Sequence, residues 1–223
     1  LIYQLYHYAK RESKIELQNL AYQKLATEAQ LTKLNTELNP HFLFNSLNSI
    51  YSLSRQQSPE TPDLVMQLSE LLRYQLESAK KDSVLLKEEI EFIENYLLLE
   101  EKRLSSRCVV EFQLEGEVSN LNISPMLLIP FVENAIKHGA QSTNEQSKID
   151  VSAVIKDRML HFAIVNTKPA LAPQLKRKGL GLENVKRRLK LLYPNNHSLE
   201  IEENEKTFHV RLSIDLSVQQ YKR

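Results

Sequence analysis

Leu38-Asn39-Pro40-His41-Phe42-Leu43-Phe44-Asn45-Ser46-Leu47-Asn48-Ser49-Ile50 is the stretch around which the rest of the chain is organised. Leu43, Leu47 and Ile50 recur at the three- and four-residue spacing of one helix face. Pro40 lies inside that pattern. It removes an amide donor and crowds the carbonyl at Thr36, so a bend is expected just before His41. Asn45 follows His41 by four residues and shares its face. By itself the stretch is equally a bent core helix with a buried, hydrogen-bonded histidine.

Two further segments tip the balance. One is Pro125-Met126-Leu127-Leu128-Ile129-Pro130-Phe131-Val132-Glu133-Asn134-Ala135-Ile136-Lys137-His138-Gly139, and the other is Gly179-Leu180-Gly181-Leu182-Glu183-Asn184-Val185-Lys186-Arg187-Arg188. In identity, order and spacing the three segments resemble the cytoplasmic part of a sensor histidine kinase of the LytS/YehU type, over about residues 10 to 216. The resemblance implies that His41 accepts phosphate from ATP and that Glu133–Gly139 is the N box, which binds the nucleotide. It also implies a homodimer, a response regulator receiver domain as partner, and membrane-spanning sensor segments upstream. The chain would then be the cytoplasmic domain of a plasma-membrane protein. Its start at Leu1-Ile2-Tyr3, without methionine, suits an excised fragment.

Composition sets bounds without choosing a function. The chain has 223 residues, an ordinary apolar content and a formal charge of +1, so nothing suggests nucleic-acid binding. Cys108 is the single cysteine, which rules out an internal disulfide framework and suits a small buried strand residue. No apolar run is long enough to span a bilayer.

The expected fold is α+β, with a helical hairpin followed by an α/β sandwich. Residues 1–38 are helix-favouring, and Leu17, Leu20, Leu31, Leu34 and Leu38 mark a heptad seam interrupted by Lys24 and Thr27. The preferred reading is a short signalling coiled coil, against a single amphipathic helix packed on its own chain. Residues 39–84 would hold the dimerisation and phosphotransfer helices. The second of these opens at Thr61-Pro62, with Thr61 as cap, and places Leu64, Leu68, Leu71, Leu72 and Leu76 on one side. A hairpin cannot bury both apolar faces alone, whereas a dimeric four-helix bundle can. Residues 85–218 would form the sandwich, of the Bergerat ATP-binding type by resemblance. Its helix at 85–104 turns Ile90, Ile93, Leu97 and Leu104 inward. A strand begins at Cys108, and Ser124 caps a helix opening at Pro125. Further strands fall at 148–156, 159–166, 198–203 and 207–216, with a helix at 180–193.

Glu133, Asn134, Lys137 and His138 crowd into six residues near a helix end, more polar chemistry than a core helix needs. The resemblance makes the Asn134 carbonyl a ligand of Mg2+, a cation that takes few protein oxygens. It places Lys137 and His138 at the ATP phosphates, and Glu133 with His41 and Asn45 among the catalytic candidates. Gly179, Gly181 and Leu182 would bring backbone amides to phosphate at a helix start. The loop between, with Lys168, Lys176, Arg177 and Lys178, would be a lid.

One element departs from the family pattern. An aspartate normally accepts from the adenine amino group at the end of a strand. Alternation through Leu160, Phe162 and Ile164 puts Asn166 there, followed by Thr167-Lys168-Pro169-Ala170 without glycine. Asparagine can still accept, but the charge-assisted bond is lost. Two rivals therefore remain: a dimeric signalling scaffold that binds nucleotide weakly, and an ATP-driven conformational machine that does not need His41. His41 needs its neutral imidazole to be nucleophilic. Glu37 could orient it, and Asn45 could position a water for dephosphorylating a partner.

Overall fold

The computed structural model describes residues 40–104, 107–140, 146–168 and 180–217, without the side chains of residues 40, 41 and 180. The chain divides into two units, Leu1–Asn45 and Ser46–Arg223. The described part of the first is the opening of helix α1, Pro40–Arg55, which carries His41 and Asn45 one turn apart. The coiled coil expected over 1–38, the bend before His41, Glu37, Gly179 and most of the expected lid lie outside the described residues.

In the second unit α1 runs on to Arg55, and a turn with Gln57 at φ +52 leads to helix α2, Thr61–Ser78. Pro62 sits in the first turn as expected, but Thr61 is not the cap. Glu60 holds that position without a side-chain bond, and the buried Thr61 Oγ1 has no hydrogen-bond partner among the described residues. The inner stripe of α2 is also shifted from the expected one. Leu64, Leu68, Leu71, Gln75 and Ser78 are buried, whereas Leu76 is exposed. The 64-68-71-75-78 spacing follows the helical period towards helix α3, and Leu76 falls to the opposite side.

Strand β1, Val84–Leu85, leads into α3, Leu86–Leu104, whose Ile90, Ile93, Leu97 and Leu104 are buried as expected. Strand β2, Cys108–Glu115, follows, then β3, Asn122–Ile123, which pairs antiparallel with β1. This two-residue ladder is too short to leave a periodic signal. Gly116 ends β2 at φ +90, and a Cβ there would meet the Ile155 carbonyl oxygen at 2.1 Å, so only glycine fits.

Helix α4, Ile129–Ala135, continues as a single π-helical turn, Ile136–Ala140. Then come β4, Ser147–Lys156; β5, Met159–Thr167; helix α5, Leu180–Leu192; β6, His197–Glu203; and β7, Thr207–Asp215. The main sheet has the order β2-β4-β5-β7-β6, parallel only between β2 and β4. That parallel pair needs a crossover, and the α4 segment supplies it.

Alternation gives the sheet one dry face. Ile149, Val151 and Ala153 of β4, Leu160, Phe162 and Ile164 of β5, and Val210, Leu212 and Ile214 of β7 are buried. The helices bring Phe131, Val132, Val185 and Leu189 to the same core. The other face is polar and carries Lys148 with Glu111 and Asp150 at 3.2 and 2.8 Å, and Arg211 with Glu202 at 3.0 Å. Such exposed pairs contribute little stability, but they let one face of a largely antiparallel sheet meet water. Among the described residues no helix is long and apolar enough to cross a membrane.

Candidate functional site: the end of the N-box helix and the turn beneath it

Glu133 and Asn134 are the last side chains before α4 ends at Ala135, and both are half-buried. Lys137 and His138 follow in the π-turn and are exposed. A π-turn is a poorer backbone arrangement than an α-turn and recurs at functional sites, where it redirects side chains. The His138 pKa is held below the ordinary histidine value, first by partial burial and then by the Lys137 charge, with Glu203 pulling the other way. Near neutral pH its ring is therefore uncharged. Tyr96 of α3 lies beside Glu133. Burial, then the Glu133 and Glu100 charges, drive its hydroxyl well above the ordinary tyrosine range, so it stays a donor.

Gly139 ends the box against Asn166. A Cβ at Gly139 would meet Asn166 Nδ2 at 3.0 Å and the Thr167 carbonyl oxygen at 3.2 Å. Strand alternation carries Asn166 to the buried face as expected, at 1% exposure. Its Nδ2 donates to the Thr167 carbonyl at 3.0 Å, while its buried Oδ1 has no hydrogen-bond partner among the described residues. An unmet buried acceptor costs about 1–3 kcal/mol.

Beneath the box the structure corrects the sequence expectation. The helix does not open at Pro125, and Ser124 caps nothing. Residues 125–128 form an irregular turn, and the helix begins at Ile129 with Pro130 in its first turn. Met126 sits at φ +54, a left-handed conformation that costs a non-glycine residue about 1–2 kcal/mol. Polar side chains from two helices hold the turn there. The Glu89 carboxylate accepts from the Met126 amide at 3.0 Å and the Leu128 amide at 3.2 Å. Arg188 donates to the Met126 carbonyl at 3.0 Å, the Pro125 carbonyl at 2.7 Å and Ser124 Oγ at 3.0 Å. The Ser124 amide donates to the Tyr193 hydroxyl at 3.0 Å. Strained backbone of this kind persists where its surroundings over-determine it.

Known proteins bear on this geometry. A family model described as histidine kinase matches residues 29–108. The sensor protein LytS of Enterococcus faecalis (strain ATCC 700802 / V583) is 33% identical over 219 residues, covering 92% of this chain and 37% of that protein. The sensor histidine kinase BtsS of Escherichia coli (strain K12) is 31% identical over 177 residues, covering 79% and 31%. The sensor histidine kinase/phosphatase LytS of Staphylococcus aureus (strain MRSA252) is 35% identical over 154 residues, covering 69% and 26%. The chain belongs to the sensor histidine kinases of the LytS type. It spans about a third of the length of the curated relatives it matches. Among solved structures, the histidine kinase domain from Erythrobacter litoralis EL346 aligns with 82% of this chain and 97% of that one, at a TM-score of 0.47 and 13% identity.

In this member of the family the structure brings Glu133, Asn134, Lys137, His138 and Asn166 to the end of one helix and one strand. Gly181 and Leu182 lie inside the first turn of α5, and a Cβ at Gly181 would meet nothing within 4 Å. Lys168 is engaged at the end of β5, with Nζ at 2.5 Å from Glu203 and 2.9 Å from the Asn204 carbonyl. Sequence reasoning missed Glu89, Arg188, Tyr74 and Tyr193. For Glu89 a signal existed: it shares the inner face of α3 with Ile93, Tyr96 and Glu100, an odd place for a carboxylate.

Proposed function

We propose that the chain is the kinase core of a two-component sensor. It would transfer the γ-phosphoryl group of ATP to a ring nitrogen of His41 and from there to an aspartate of a response regulator receiver domain. The supporting observation is the Asn166 acceptor, buried and unmet, against which the Glu133–Gly139 box ends. It fits the adenine amino group. Asn134 would hold Mg2+, which when bound offsets phosphate charge. Lys137 is a point charge for phosphate and His138 an uncharged donor beside it. The amides of Gly181 and Leu182, in the first turn of α5, have no partner within the helix and are suited to phosphate oxygens. Positioning and charge complementarity carry most of the rate in phosphoryl transfer, and these residues supply both. Glu133, with the Tyr96 hydroxyl beside it, is the candidate catalytic carboxylate.

Asn45 lies one helical turn after His41 and is the candidate for holding a water during dephosphorylation of a partner. A relative whose name pairs kinase with phosphatase makes that second activity reasonable.

Asn166 supplies the test. Asn166→Ala removes one acceptor worth about 1–1.5 kcal/mol, so calorimetry should show roughly tenfold weaker Mg-ATP binding. A purine triphosphate lacking the 6-amino group should bind the two proteins alike. Equal loss for both nucleotides would place the adenine elsewhere. The uncharged Asn166 also favours a second reading, a signalling scaffold that binds nucleotide weakly. Absence of measurable Mg-ATP binding by the parent chain would select it.

A homodimer belongs to the same proposal. Leu47 and Tyr51 of α1 share one face at 48% and 66% exposure, and Val65 and Leu76 of α2 share another at 46% each. Pairing with a second copy would bury both stripes. Sedimentation should give twice the chain mass at micromolar concentration, and a monomer there would count against the dimer.

A further inference from the structure

Glu89 is fully buried, with 0% of its surface exposed, and its carboxylate links three elements. The Tyr74 hydroxyl of α2 donates to Oε2 at 2.8 Å, the Met126 amide to the same oxygen at 3.0 Å, and the Leu128 amide to Oε1 at 3.2 Å. Tyr74 also stacks on Phe92 of α3, with ring centroids 4.7 Å apart, which fixes its hydroxyl. Across the turn Arg188 binds the carbonyls of residues 125 and 126. Arg188 stands on α5, the helix whose first turn holds Gly181 and Leu182. The turn of residues 124–128 is thus gripped from α3 on its amides and from α5 on its carbonyls, and it launches the helix that bears Asn134.

We propose that Glu89 is a positioning residue of the nucleotide site: its carboxylate holds the strained turn beneath the N-box helix and ties that turn, through Tyr74, to helix α2 of the hairpin. The proposal rests on the kinase reading above. A carboxylate is required because all its partners are donors, and it can only accept. Glutamine, of the same shape, would turn an NH2 group towards one of those donors and leave it unmet. Burial raises the Glu89 pKa, and the Tyr74 hydroxyl, the two amides and the Arg188 charge offset that only in part. Burial and then the Glu89 charge hold the Tyr74 hydroxyl far above its ordinary range, so it remains a donor. Movement of α2 would pull on Tyr74 and, through Glu89, on the base of the N-box helix.

The test uses the whole chain with Glu89→Gln and, as a variant that keeps the buried carboxylate, Tyr74→Phe. Autophosphorylation should show the ATP KM raised at least tenfold in Glu89→Gln and about threefold in Tyr74→Phe. The rate at saturating ATP should stay within twofold of the parent. A purely structural role would lower the yield of active protein and leave KM unchanged, and that result in Tyr74→Phe would overturn the proposal. Amide exchange by NMR on nucleotide-free protein keeps the test independent of the kinase reading. The Met126 and Leu128 amides should exchange at least tenfold faster in Glu89→Gln, with Val151 of β4 unaffected. An inactive parent would defeat the kinase reading alone, and unchanged Met126 and Leu128 exchange would defeat the positioning role.

Discussion

His41→Gln should abolish acid-labile labelling of the chain by ATP carrying label in its γ-phosphate. The loss should reach background, a drop of at least roughly 100-fold, because the substitution removes the nucleophile itself and not a group that assists it. Glutamine keeps a polar side chain and a good helix propensity, so α1 should persist. Calorimetric binding of Mg-ATP should be unchanged, since the residues proposed to bind it lie between Glu133 and Leu182. That combination, nucleotide bound but no label, separates acceptor chemistry from binding. Label of undiminished yield on the variant would place the acceptor elsewhere. Steady ATP hydrolysis surviving His41→Gln would instead favour an ATP-driven conformational machine.

Asn134→Ala carries the second largest expected effect. Asn134 stands half-buried at the end of α4, next to the π-turn that presents Lys137 and His138. Its side-chain oxygen is the one proposed to hold Mg2+, which needs few protein ligands and keeps water and phosphate for the rest. Removing it should slow labelling of His41 by roughly 100-fold, about 3 kcal/mol of transition-state stabilisation. The Mg2+ concentration for half-maximal rate should rise as well. Because Asn134 is not a core residue, the melting temperature should stay within a few degrees. An unchanged Mg2+ requirement would remove Asn134 from the metal site.

Much of the candidate site is legible in the sequence alone. Glu133, Asn134, Lys137 and His138 are close in sequence, and one helix end keeps such residues together whatever the rest of the chain does. Asn166 could be found because strand alternation is local: Leu160, Phe162 and Ile164 set the phase that buries it. What alternation could not show is that its Oδ1 is unmet, or that Gly139 leaves room for the Asn166 side chain. Those facts depend on β5 passing the end of the N-box helix. Ser124 misled for a related reason. Serine before proline resembles a cap, but Glu89 and Arg188, far away in sequence, satisfy the turn instead and delay the helix to Ile129.

By itself, then, the sequence determined the order and type of the longer elements, the buried faces of the strands and α3, and the family. Each of these is written in short-range periodicity or in contiguous motifs. Tertiary structure decided which stripe of α2 is buried, where the N-box helix starts, and which polar groups meet beneath it. The physical reason is that a buried carboxylate is stable only where donors converge on it, and for Glu89 those donors come from Tyr74, Met126 and Leu128, which only the folded chain brings together.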